Sequence, residues 1–107
     1  MNDPTYVEAA RHLAASALQA NDGDTATRLN WLYRQVLQRA PTDREHQVLE
    51  AFVARNLAVY QQAPEEAAQL GAIGLQPAPT EVNAVELATW TCAARVILNL
   101  HETITRF

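Results

Sequence analysis

Residues 85–100 read VELATWTCAARVILNL, and this stretch decides the fold. Val85, Leu87, Ala88, Trp90, Ala93, Ala94, Val96, Ile97, Leu98 and Leu100 put apolar groups on nearly every side of a helix. That is the pattern of a helix lying inside a domain, not on its surface. Thr89, Thr91, Arg95 and Asn99 break the run, so no uninterrupted apolar stretch approaches membrane-spanning length. Asn83, followed three residues later by Glu86, supplies a helix start.

Working outward from that segment, helices need partners to bury it. Pro4 suits a first turn behind Asp3, and Tyr6, Ala10, Leu13 and Ala17 repeat at helical spacing to about Ala20. The Asn21–Asp24 turn breaks this helix. Leu29, Leu32, Tyr33, Val36, Leu37 and Ala40 then make a second amphipathic face, which Pro41 is expected to end. Thr42 with Glu45 is a capping box, in which each residue's side chain accepts the other's backbone N–H. The third helix starts there, with Val48, Leu49, Phe52, Val53, Asn56, Leu57 and Tyr60 expected inward. Pro64, Glu65 and Glu66 open a short fourth helix closed by Gly71 and Gly74, and residues 72–82, with Pro77 and Pro79, read as a long loop. The expectation is an all-α fold, a compact bundle of four to five helices with a buried C-terminal helix. Residues 1–107 form one helical domain, a length at which roughly two-thirds of the unfolded chain's surface is buried.

Composition agrees. The hydrophobic fraction is 49%, supplied mainly by alanine and leucine, which favour helix over strand. The formal charge is −4 and the chain contains no lysine, so nucleic acid is not an expected partner. Cys92 is the single cysteine, which excludes an internal disulfide, a C-x-x-C-H haem attachment and a thiolate zinc site. Asn2, Asp3 and Pro4 after Met1 are unlike a signal peptide.

Candidate chemistry is sparse. His101-Glu102 begins like the zinc-protease pattern H-E-x-x-H, but Thr105 stands where the second histidine belongs, and His12 and His46 are scattered elsewhere. A histidine favoured by the helix C-terminal dipole is the plainer reading. Asp22 and Asp24 lack the spacing of a calcium loop. No metal or cofactor is expected. Arg95, Asn99 and Glu102 share one face of the last helix and read as a structural polar cluster that fixes its docking, in preference to a catalytic one. Trp31 fits worst. If Leu29, Leu32 and Val36 face inward, it points away from them, among Thr27, Arg28, Arg34, Gln35 and Gln38. Either another helix of the domain covers it, or Trp31, Arg34 and Gln35 form an interaction surface.

The phrase ELATWTCAARVILNLHETITR at residues 86–106 resembles the ending of the planctomycete-specific C-terminal domain of unknown function. Trp90, Ala94, Arg95, Leu98, Asn99, Leu100, Glu102 and Arg106 carry the resemblance. Upstream support comes from Asn2-Asp3-Pro4, Glu8, Ala10-Arg11, Arg28, Arg39, Pro41-Thr42 and Glu45, so it spans the chain. Aspartate is usual in that family at the position of His101, and glycine at that of Gln38. The resemblance implies the C-terminal portion of a larger secreted or envelope protein that also carries a second planctomycete domain and often a cytochrome-c-like segment.

The leading expectation is therefore a noncatalytic helical module that packs against the upstream domain of its parent, with self-association of the isolated chain also open. The alternative is a fragment of an enzyme or redox protein, for electron transfer or polysaccharide processing. In that version upstream residues would complete a site lined by Arg95, His101 and Glu102.

Overall fold

The computed structural model describes residues 4–20, 24–71 and 83–105, with side chains described at 8–20, 24–69 and 83–101. The expected turn at 21–23, the expected loop at 72–82 and the side chains of Tyr6, Glu102 and Arg106 lie outside the described residues. Five helices and no strand are present among them: α1 Pro4–Ala20, α2 Thr25–Leu37, α3 Asp43–Gln62, α4 Pro64–Gly71 and α5 Ala84–Thr105. The radius of gyration, 13.0 Å, is that of a compact chain of this length.

The last helix is the axis of the bundle, since α5 packs against each of the other four. Asn83 starts it, its Oδ1 accepting from the Val85 and Glu86 amides at 2.8 and 3.2 Å. Five consecutive residues, Leu87 to Thr91, are then buried, which only a helix contacted from several sides can achieve. Burying Thr89 and Thr91 leaves no hydroxyl stranded. They donate to the carbonyls of Val85 and Leu87 one turn back, at 2.9 and 2.6 Å.

The most extensive contact runs between α1 and α5. From α1 come Ala10, Ala14, Ala15 and Ala17, and from α5 Ala93, Ala94 and Ile97, all in one buried cluster with Leu29, Leu32, Tyr33, Leu49, Val53, Leu87 and Trp90. Side chains this small let the two backbones approach closely.

Helix α2 begins at Asp24, whose carboxylate accepts from the Ala26 amide at 3.2 Å. It ends three residues before the expected stop. Gln38 adopts φ 60° and ψ 30°, and its N–H returns to the Arg34 carbonyl at 3.1 Å, so the helix closes at Leu37, ahead of Pro41. Ala40, expected inward, lies beyond this turn and is exposed.

Helix α3 carries the capping box read from the sequence: Glu45 N–H donates to Thr42 Oγ1 at 3.2 Å, and Thr42 N–H to Glu45 Oε1 at 2.9 Å. Its inward face is narrower than expected. Leu49 and Val53 are buried, and Phe52, Asn56, Leu57 and Tyr60 are half-buried, whereas Val48 is 61% exposed. Neighbouring residues on a helix point about 100° apart, and the line through Leu49, Val53 and Tyr60 leaves Val48 on the outer side.

Candidate functional site

The outer face of α2 is the surface that the sequence singled out. Arg34 and Gln35 are exposed on it. Trp31 is half-buried and packs against the core cluster, so part of the ring is anchored and the rest is open. Arg28, grouped with this outer surface by periodicity, instead turns inward: it is buried, and its guanidinium lies over the Trp90 ring, 5.8 Å from the centroid. A cation and an aromatic face attract electrostatically, which compensates an arginine drawn out of water. The pair couples α2 to the centre of α5.

The corner between α2 and α3 holds an arrangement the sequence did not announce. Arg39, just past the left-handed Gln38, donates two parallel hydrogen bonds to Glu45, at 2.9 and 3.0 Å, and a third to the Ala40 carbonyl at 3.1 Å. The same guanidinium lies over the Tyr33 ring, 5.3 Å from its centroid. The Arg39 hydrogen bonds, first, and the Thr42 amide, second, pull the Glu45 pKa down to about 2. One carboxylate thus caps α3 and clamps the end of α2. The visible signal was a capping-box glutamate with an arginine six residues before it and a tyrosine six before that.

Tyr33 is fully buried, and its Oη makes no hydrogen bond of acceptable geometry among the described residues. Burial, first, and the nearby Glu45 charge, second, raise its pKa and keep the hydroxyl protonated.

On α5, Arg95 is half-buried and Asn99 exposed, each engaged by a neighbour. The Glu102 side chain, the third member of the expected polar cluster, lies outside the described residues. His101 is exposed. Facing α5 from α3, the Tyr60 hydroxyl sits 3.5 Å from the Cys92 sulfur, and burial, followed by this contact, pushes the Tyr60 pKa up to about 12. Among the described residues no three His, Cys, Asp or Glu side chains converge as metal ligands, and no helix is long and apolar enough to cross a membrane.

Residues 1–53 match a family model described as PSD1, a protein of unknown function (DUF1553). That likeness supports a domain of unknown function. It takes in α1, α2 and the first half of α3, with Trp31, Arg34, Arg39, Thr42 and Glu45 inside it and α5 outside. No curated protein and no solved structure matches the chain.

Proposed function

We propose that residues 1–107 fold as one noncatalytic helical module and that this module packs against the upstream domain of a larger secreted or envelope protein of planctomycete type, one that often carries a cytochrome-c-like segment. The observation behind this reading is the outer face of α2, where a Trp31 ring held on one side by the core stands beside exposed Arg34 and Gln35. A pre-oriented aromatic beside an arginine is the residue pairing that anchors interfaces, because little side-chain entropy remains to be lost on binding. Arg95, Asn99 and Glu102 belong in this reading to the docking of α5.

The test is association in trans. In a Trp90→Phe background, adding the upstream domain is expected to blue-shift Trp31 emission, and Trp31→Ala to weaken association by about 2 kcal/mol or more. Because Trp31 also touches the core, Arg34→Glu is the cleaner probe, and it is expected to weaken association while leaving the fold unchanged. Full association by Arg34→Glu, together with a Trp31 inaccessible to a soluble quencher in the monomer, would overturn the proposal.

A further inference from the structure

We draw no further inference here: the strongest candidate, the half-buried Cys92 thiol of α5 with the Tyr60 hydroxyl of α3 3.5 Å away, is a lone cysteine in the packing between two helices, and nothing among the described residues points to a ligand for it.

Discussion

Helices α5 and α3 are of similar length, 22 and 20 residues, yet they are held in place by different means. Helix α5 is buried on several sides and owes its position to packing. Helix α3 buries only Leu49 and Val53 fully, and its start is fixed by polar groups of short sequence separation: the Thr42 box, the Arg39 clamp and the left-handed turn at Gln38. The difference teaches that helices in one small bundle can fail in different ways. Cavities destabilise the first, and lost capping or acid destabilises the start of the second.

The largest effect expected is at the centre of α5. Trp90→Ala empties a large buried volume and removes the ring under Arg28, so denaturant unfolding should show a loss of about 3–5 kcal/mol. Trp31→Ala should cost much less, and equal losses would show that the outer face of α2 matters to the fold as much as the centre of α5.

Adjacent residues on α3 sharpen the contrast. Leu49→Ala is expected to cost about 2–4 kcal/mol as a core truncation, and Val48→Ala less than about 0.5 kcal/mol as a surface change. Similar values for the two, measured in the same denaturant series, would mean that α3 does not use the inward face described.

Acid should reach the clamp before it reaches the core. The Glu45 pKa falls from its ordinary 4.5 to about 2 on folding, so its contribution is present above pH 4.5 and is lost as pH drops toward 2. The pair is largely open to solvent, which screens it, and Glu45→Gln should cost about 1 kcal/mol at neutral pH. Stability curves of native chain and variant should converge in that acid window. A constant gap down to pH 2 would show that the charge is not what matters.

The smallest expected effect is a gain. A residue with a β-carbon is strained at φ 60°, and Gln38→Gly should stabilise the chain by about 0.5–1 kcal/mol, read as a higher denaturant midpoint. A loss instead would show that the Gln38 side chain makes up for its backbone.

The fold was legible because helical period, proline, glycine and capping pairs are local signals. VELATWTCAARVILNL identified the central helix, and Thr42 with Glu45 placed the start of α3 at the residue observed. Other features depended on geometry that spacing does not encode. Periodicity alone places Val48 inward because a valine next to a leucine widens any apolar stripe, and only the direction of the neighbouring helices decides which one is covered. Periodicity puts Arg28 with the outer face because its partner, Trp90, is 62 residues away in sequence. Pro41 is the visible stop signal for α2, whereas Gln38 stops the helix first. The glycine usual at that position in the resembling family was the available sign. Of the candidate sites, the outer α2 residues were visible as an anomaly of pattern. The clamp required Tyr33, Arg39 and Glu45 to meet around a corner.

The alanine lining between α1 and α5 reverses the usual direction of mutational risk. In a core of large aliphatic residues, substitutions do harm chiefly by shrinking a side chain. At Ala10, Ala14, Ala93 or Ala94 there is almost nothing to remove, and every added methyl group must either push two helices apart or force an unfavourable rotamer. Most single-nucleotide changes at these codons enlarge the residue. This seam therefore leaves ordinary genetic drift little room.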